Sequence, residues 1–224
     1  MTAELPAADA NKSTVLIVDD HPIVQQGLAQ LIAHEPDLEV CGGAETVDEA
    51  VRMIAAMQPD VVLVDISLRE SNGLDLIGQI RSACENTKSL VWSMFDESVY
   101  AERALRAGAM GYVNKQEPVE TVIDAIRQVL RGNVYIGPKL AVSLVRRIGG
   151  GTNVPETPTA SLSNRELEVF SLIGHGMTTH EIADRLKLSS KTVETHRERI
   201  KLKMNLRNAS ELSCRAVLWV LENG

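Results

Sequence analysis

The chain has 224 residues, of which 44% are hydrophobic and 24% are charged, with a formal net charge of −7. This composition is typical of a globular protein and excludes a wholly disordered or collagen-like chain. Three scattered cysteines (Cys41, Cys84 and Cys214) form no disulfide or zinc pattern, and 3% aromatic residues disfavour an aromatic platform for single-stranded nucleic acid. Because no apolar run matches a membrane span and the acidic N-terminus is unlike a secretory signal, we expect a cytoplasmic protein.

Basic charge is concentrated near the end of an otherwise acidic chain. Residues 1–147 carry 13 lysines and arginines against 21 carboxylates, whereas residues 161–224 carry 10 against 8. Within residues 185–215 there are 9 basic and 3 acidic residues. This asymmetry indicates a polyanionic partner for the C-terminal part alone, with a solvated helix face as the alternative interpretation.

Residues 14–131 alternate between short apolar runs and amphipathic segments, a pattern that predicts repeated βα units. Three of the apolar runs are nearly continuous, as expected for parallel strands that are buried on both faces. Five such units predict an α/β fold with a doubly wound, five-stranded parallel sheet of the flavodoxin-like type. The strands are predicted over 14–18, 38–42, 61–65, 89–93 and 111–115, and the helices over 22–34, 47–58, 74–84, 98–107 and 118–131.

The remainder of the chain is predicted to be helical and to form a second domain. Residues 149–161 are rich in glycine, proline and threonine, which is typical of a linker. Capping boxes at Ser163 and Thr178 mark helix starts, and a separation of only three residues between two short helices predicts a helix-turn-helix. The helices are predicted over 164–173, 179–186, 190–204 and 209–221, and the chain divides into a domain at 13–135, a linker with a short helical segment at 136–161, and an all-α domain with four helices at 162–224.

Polar side chains stand at the carboxyl ends of four predicted strands. Asp19 and Asp20 end the first strand, Asp65 the third, Ser93 the fourth and Lys115 the fifth. In an open parallel sheet these ends meet at the ligand crevice, so we expect the five side chains to converge. Three carboxylates together need a hard cation such as Mg²⁺, while a lysine and a hydroxyl suit an anion on the central carboxylate. The set therefore predicts a phosphorylated aspartate.

Three segments, IVDDHPIVQQGL, VVLVDISLRESNGLDLI and GAMGYVNK, resemble the receiver domain of bacterial two-component response regulators. The resemblance covers residues 13–135. It implies that Asp65 accepts a phosphoryl group from a histidine kinase. The ligands of Mg²⁺ or Mn²⁺ that it implies are Asp19, Asp20, Asp65 and the backbone carbonyl of Ser67. The residues that it implies contact or follow the phosphoryl group are Ser93, Tyr112 and Lys115.

Some positions depart from the receiver pattern. Many relatives have proline where this chain has Arg69 and Gln116, and a smaller residue or a histidine where Met94 and Phe95 follow the serine. Phe95 is expected to flank the mouth of the site and to shield the acyl phosphate from water. These differences leave open a degenerate receiver, in which DNA binding persists without the phosphorylation switch.

Residues 162–212 resemble the LuxR-type helix-turn-helix, and its union with a receiver resembles the NarL/FixJ family. In the helix predicted over 190–204, Val193, His196, Ile200 and Met204 form one stripe toward the core, and the opposite side fits the DNA major groove. The DNA contacts predicted are Glu194, Thr195 and Glu198 at base edges, Lys191, Arg197, Arg199, Lys201 and Lys203 at phosphates, and the hydroxyls of Thr178 and Thr192 also at phosphates.

The resemblance implies a bacterial, cytoplasmic transcription factor whose partners are a sensor histidine kinase, double-stranded DNA and, when phosphorylated, a second copy of the chain. It implies no enzyme activity beyond phosphoryl transfer to Asp65 and slow dephosphorylation there. Before phosphorylation the receiver is expected to cover the recognition helix, and phosphorylation to open the two domains. The last helix, which includes Leu212, Ala216 and Leu218, is predicted to form a dimer seam or else to fill the domain core.

An enzyme is the remaining alternative, because aspartyl-nucleophile phosphatases and dehalogenases also use aspartate, serine and lysine. Such enzymes place a nucleophile on the first strand with a second aspartate two residues later. Here the first strand ends in the adjacent Asp19 and Asp20, and no cap insertion is evident, which disfavours this alternative.

Overall fold

The computed structural model of the protein describes residues 12–68, 71–84, 86–95, 97–138, 141–142, 159 and 161–223. The predicted linker and its short helical segment lie largely outside the described residues, as does Arg69. None of the helices in the described ranges has the length and apolar character of a membrane span.

Five parallel strands form the central sheet of the N-terminal domain, in the order β2-β1-β3-β6-β7. Pairing of β1 with both β2 and β3 places the first strand inside the sheet, where its residues from Val15 to Val18 are almost fully buried. The doubly wound fold predicted from the sequence is therefore confirmed. The strands of this sheet are β1 (Ser13–Val18), β2 (Leu38–Ala44), β3 (Val61–Val64), β6 (Lys88–Ser93) and β7 (Tyr112–Asn114).

The right-handed crossover from β1 to β2 runs across the sheet in the opposite direction to the later crossovers, so helices cover both faces. Leu28 and Ile32 of the first helix and Val122 and Ile126 of the last pack on one face, and the three helices between them pack on the other. Observed bounds lie within one or two residues of the predicted ones. The helices are α1 (Pro22–Ala33), α2 (Val47–Met57), α3 (Gly73–Ala83), α4 (Glu97–Ala107) and α5 (Val119–Leu130).

Two short pairings had no counterpart in the sequence predictions. An antiparallel hairpin joins β4 (Ser67–Leu68) to β5 (Ser71–Asn72) directly after the third strand. Beyond α5, Tyr135 forms an isolated bridge with Gly111, next to β7. The hairpin fixes the chain beside the acidic site, and the bridge holds the segment after α5 against the edge of the sheet.

Four helices form the described part of the C-terminal domain: α6 (Asn164–Gly174), α7 (Thr179–Leu186), α8 (Ser190–Lys203) and α9 (Ala209–Asn223). Ser163 and Thr178 begin α6 and α7 with complete capping boxes, as predicted. Leu212 and Ala216 of α9 are fully buried, so these residues fill the core of the domain, while Leu218 of the same helix is 47% exposed.

Side chains of the two domains pack in one continuous apolar cluster. Leu74 and Tyr100 of the N-terminal domain belong to the same buried cluster as Leu162 and Phe170 of the C-terminal domain. The described structure therefore places the helices of the second domain directly against the first.

Candidate functional site

The polar residues at the strand ends converge as predicted. Asp19, Asp20 and Asp65 are at most 6% exposed, and Ser93 is fully buried, at the carboxyl edge of the sheet. The strands β1, β3 and β6 are direct neighbours, so the residues that follow them share one small volume. Lys115 enters the same volume from the end of β7. Sheet order thus brings together side chains that are up to 96 residues apart in sequence.

Asp65 lies at the centre of the cluster and accepts hydrogen bonds on both carboxylate oxygens. The Nζ of Lys115 lies 2.6 Å from Oδ2 of Asp65 and 2.5 Å from Oδ2 of Asp19. Ser93 donates its hydroxyl to Oδ1 of Asp65 at 2.6 Å. Lys115 and Ser93 thus both already contact the carboxylate of Asp65.

The charges in this cluster are strongly coupled. Burial raises the pKa of Asp65, and the nearby Asp19 carboxylate raises it further against the opposing effect of Lys115. Burial would lower the pKa of Lys115, but the carboxylates of Asp65 and Asp19 outweigh it and hold that pKa above the usual range. Lys115 therefore remains an ammonium that neutralises one of the three negative charges.

The same carboxylates have the chemistry of a divalent-cation site. Ligand atoms of Asp19, Asp20 and the adjacent His21 lie within 4.8 Å of one another. The Nδ1 of His21 lies 2.7 Å from Oδ1 of Asp20 and 3.3 Å from Oδ1 of Asp19. Several carboxylate oxygens in one small buried volume, with a net negative charge after Lys115 is counted, fit a hard cation that prefers oxygen ligands.

A glycine that the sequence predictions did not assign to the site sets the position of Asp65. Gly73 is the first residue of α3, which Asn72 caps through its side chain, and the Gly73 amide donates to the carbonyl of Ile66 at 2.8 Å. A Cβ on Gly73 would lie far inside van der Waals contact with the backbone carbonyl oxygen of Asp65. Only glycine lets the hairpin and α3 approach the acceptor this closely.

The two aromatic residues near the site lie in defined positions. Tyr112 is 1% exposed and donates its hydroxyl to the carbonyl of Phe95 at 2.8 Å. The Phe95 ring packs on Tyr100 with 4.7 Å between centroids, and it lines a cavity of about 520 Å³ together with Trp219 of the second domain. Tyr112 is thus already inward, and Phe95 faces the interdomain space.

The C-terminal domain reaches the acidic site with two charged side chains. Lys187, in the turn between α7 and α8, places its Nζ 2.9 Å from Oδ2 of Asp20. Ser67 donates its hydroxyl to Oε1 of Glu168, a fully buried residue of α6, at 2.8 Å. Arg165 pairs with the other oxygen of Glu168 at 2.6 Å. We call Lys187 and Glu168 together the interdomain clasp.

Further polar contacts hold the domains in this arrangement. Arg103 of α4 donates to the backbone carbonyls of Thr159 at 2.6 Å and Leu162 at 2.9 Å. The side-chain amide of Asn164 donates to the carboxylate of Asp75 in α3 at 3.3 Å. These contacts fix the start of α6 against α3 and α4, which orients the clasp toward the acidic cluster.

The predicted recognition helix α8 is amphipathic. Val193 and Ile200 are fully buried, and His196 and Met204 are half-buried on the same stripe. The turn before it is three residues long, as predicted, and its first residue has the left-handed φ of 54°. The residues that the structure leaves exposed on the outward side are Lys191, Glu194, Thr195, Glu198 and Arg199.

Exposure of these residues contradicts the expectation that the N-terminal domain covers the recognition helix. The interdomain contacts come from α6 and from the turn at Lys187, so the outward side of α8 is left accessible. The contact of Lys187 with Asp20 holds this turn, rather than the outward side of α8, against the acidic cluster.

Several other predicted DNA-contacting groups have partners within the C-terminal domain. Lys203 pairs with Glu166 at 2.6 Å, and the hydroxyl of Thr178 donates to Glu181 at 2.8 Å. The hydroxyl of Thr192 shares a hydrogen bond of 2.8 Å with that of Ser189, the N-cap of α8. Arg197 and Lys201 are half-buried and pair with carboxylates of α8 itself.

Comparisons with known proteins match this arrangement over nearly the whole chain. The family model described as the response regulator receiver domain matches residues 15–127, and that of the bacterial regulatory proteins of the luxR family matches residues 160–216. The oxygen regulatory protein NreC of Staphylococcus carnosus is 38% identical over 203 residues, covering 88% of this chain and 94% of that protein. The matched models describe regulators, which gives the phosphatase or dehalogenase alternative no support.

Solved structures show the same fold over part or nearly all of the chain. A LuxR-family two-component response regulator from Aurantimonas is 30% identical with a TM-score of 0.58, covering 62% of this chain and 99% of that one. RcsB of Salmonella typhimurium, at 24% identity, has a TM-score of 0.63 and covers 94% of this chain and 98% of that one, which shows the fold alone. The chain therefore belongs to the NarL/FixJ family of two-component response regulators, which join a receiver domain to a LuxR-type DNA-binding domain.

Proposed function

We propose that the chain is a transcription regulator whose Asp65 accepts a phosphoryl group from a histidine kinase and thereby controls DNA binding. The observation that carries this proposal is the bonding of Asp65, whose two oxygens contact Ser93 and Lys115 at 2.6 Å each. The receiver occupies residues 13–135, the linker 136–161 and the DNA-binding domain 162–224. Both domains act in the bacterial cytoplasm, and the chain is not an enzyme for external substrates.

The metal in the proposal is Mg²⁺, or Mn²⁺, held by Asp19, Asp20, Asp65 and the backbone carbonyl of Ser67. The cation would neutralise negative charge as the phosphoryl group approaches the carboxylates. A carboxylate oxygen of Asp65 attacks phosphorus while the bond from phosphorus to the donor nitrogen or oxygen breaks, and the donor leaves with that electron pair. Lys115 pairs with the phosphoryl oxygens, and the hydroxyl of Ser93 donates to one of them.

Phosphorylation changes the charge next to the interdomain clasp. An acyl phosphate carries about −1.5 to −2 charge, and it forms close to the buried carboxylate of Glu168. Repulsion between them favours separation of the domains, which frees the DNA-binding domain to pair with a second copy and read two half-sites. Tyr112 and Ser93 adjust to the phosphoryl group within the receiver.

DNA is recognised by the outward side of α8. Glu194, Thr195 and Glu198 face base edges in the major groove, and Lys191 and Arg199 neutralise phosphates. Exposure of all five side chains supports this assignment. Further phosphate contacts are assigned to the partly paired side chains Thr178, Thr192, Arg197, Lys201 and Lys203.

Incubation with Mg²⁺ and acetyl phosphate tests the proposal. We expect the intact mass to rise by one phosphoryl group, the solution molar mass to approach that of a dimer, and affinity for duplex DNA to rise. Asp65→Ala is the control and should remain unmodified and monomeric. Equal DNA binding with and without treatment would instead support the degenerate receiver, in which DNA binding is independent of Asp65.

A further inference from the structure

Lys187 of the DNA-binding domain contacts a carboxylate that the proposed metal site uses. Its Nζ lies 2.9 Å from Oδ2 of Asp20, across a sequence separation of 167 residues. Only 8% of the Asp20 side chain is exposed, whereas 44% of the Lys187 side chain is exposed. The ammonium therefore enters the acidic cluster from outside and adds positive charge to that of Lys115.

The local backbone directs this lysine toward the receiver. Lys187 ends α7 in the left-handed conformation, with φ of 54°, and its amide donates to the carbonyl of Asp184. The turn that follows is bounded by Ser189, the N-cap of α8. Because the helix-turn-helix holds the backbone of Lys187, contact between its ammonium and Asp20 depends on the position of the whole DNA-binding domain.

Glu168 contacts the same site on its other side. Its partner Ser67 donates a backbone N–H to Oδ1 of Asp65 at 3.3 Å, and the backbone carbonyl of Ser67 is a proposed metal ligand. Burial raises the pKa of Glu168, Arg165 opposes that effect, and the negative charge of Asp65 adds to it. Glu168 and Lys187 thus contact residues of the proposed site from two sides.

We propose that Lys187 is a tethered cation that competes with the divalent metal for Asp20, so that metal binding and closure of the two domains oppose each other. Resting on the proposed function, the inference adds that the metal alone weakens closure before any phosphoryl transfer. The mechanism is charge replacement: a divalent ion that binds the Asp20 oxygen displaces the ammonium and removes one contact of the clasp. By reciprocity, closure lowers the metal affinity of the receiver by the same factor.

The test uses Lys187→Asn in the full chain. Asparagine removes the charge and tolerates the left-handed backbone at this turn, and Lys187→Gly is a second variant with the same tolerance. Arg215→Ala is the matched control, because it removes one exposed positive charge from the same domain. Circular dichroism verifies that all variants have the helical content of the parent.

Mg²⁺ affinity is measured by calorimetric titration without a phosphoryl donor, and domain separation by small-angle X-ray scattering in the same buffer. We expect Lys187→Asn to lower the dissociation constant for Mg²⁺ by about fivefold, at the low end of coupling factors because the lysine is partly solvated. Its radius of gyration without Mg²⁺ should already match that of the parent with saturating Mg²⁺. Arg215→Ala should match the parent in both measurements.

Two outcomes separate this inference from the proposed function. Equal Mg²⁺ affinity of Lys187→Asn, Lys187→Gly and the parent would overturn the competition, while mass labelling of Asp65 in the same samples would leave the proposed function intact. Tighter Mg²⁺ binding by both variants without any labelling of Asp65 would support the competition and overturn the phosphorylation switch.

Discussion

Replacement of Lys115 by methionine should destabilise the receiver strongly, and the loss should depend on Mg²⁺. The Lys115 side chain is 9% exposed and its Nζ lies 2.5 and 2.6 Å from the Asp19 and Asp65 carboxylates. Methionine fills a similar volume but leaves those buried carboxylates without their cation. Removal of one partner from a buried ion pair costs about 3–5 kcal/mol, and we expect the free energy of unfolding to fall by that amount in EDTA.

Mg²⁺ should reduce this deficit because it supplies the missing positive charge to the folded state alone. Binding at a concentration of about 100 times the dissociation constant stabilises the folded state by about 2.7 kcal/mol. The variant should gain more than the parent, since Lys115 no longer repels the ion. Urea unfolding in EDTA and in Mg²⁺, followed by fluorescence of Trp92, whose ring centroid lies 5.1 Å from Nζ of Lys115, provides the measurement.

Two controls identify the cause of the loss. Lys88→Met makes the same substitution at the start of β6, at the opposite edge of the sheet from the acidic site. There the Nζ donates to the neutral backbone carbonyl of Leu130 at 2.8 Å, and the substitution should cost about 1 kcal/mol. Asp65→Asn in the Lys115→Met background removes one repelling carboxylate and should restore part of the stability. A loss below about 1 kcal/mol in EDTA, or the same deficit with and without Mg²⁺, would refute the assignment of Lys115 as the balancing cation.

Three further predictions follow from individual residues. Gly73→Ala should cost about 1–3 kcal/mol of stability and slow labelling of Asp65 by acetyl phosphate, and an unchanged labelling rate would contradict the proposed close approach. Lys191→Ala should weaken DNA binding at all sequences and reduce the slope of log affinity against log salt by about 1, measured by fluorescence anisotropy; an unchanged slope would remove it from the phosphate contacts. Burial raises the pKa of Glu166, but the Lys203 ammonium opposes this effect and holds that pKa below its ordinary value of 4.5. The stability that this pair contributes is present above pH 4.5 and is lost as the pH falls through the lowered pKa. Lys203→Met should therefore reduce the loss of unfolding free energy at acid pH, measured by urea unfolding. Equal slopes of unfolding free energy against pH in the variant and the parent would exclude this pair as the cause of the acid-side loss.

The sequence was sufficient for the central sheet and for the convergence of the acidic site. Nearly continuous apolar runs such as Val61–Val64 mark buried parallel strands, and a carboxylate directly after such a run must lie at the crevice edge. The capping boxes at Ser163 and Thr178 likewise depend on neighbours three residues away. These features are predictable because local periodicity and capping decide them.

The features that the sequence left unpredicted depend on tertiary position. The two-residue strands at Ser67–Leu68 and Ser71–Asn72 are too short to show any periodicity. Glu168 is a charged residue near the start of a helix, and its complete burial depends on tertiary contacts that include Ser67 of the receiver. The sequence around Lys187 predicts only a turn residue. The role of Gly73 depends on the path of the hairpin beside Asp65, which the sequence does not show.

The interdomain clasp joins the two domains without covering the recognition helix, so the proposed control of DNA binding does not depend on steric masking. The outward side of α8, which includes Lys191 and Arg199, is exposed while Lys187 is bound at the acidic cluster. Any limit that closure places on DNA binding must therefore act through the orientation of the two domains, because the predicted DNA-contacting residues on this side are not buried. In the proposed mechanism a charge at the acidic site acts directly on that orientation. Lys187 and Glu168 help to hold it, beside Arg103, Asn164 and the apolar cluster, and both contact residues of the proposed metal and phosphoryl site. The proposed mechanism thus needs no relay through the core of the receiver to convert small changes at Asp20 and Asp65 into domain separation.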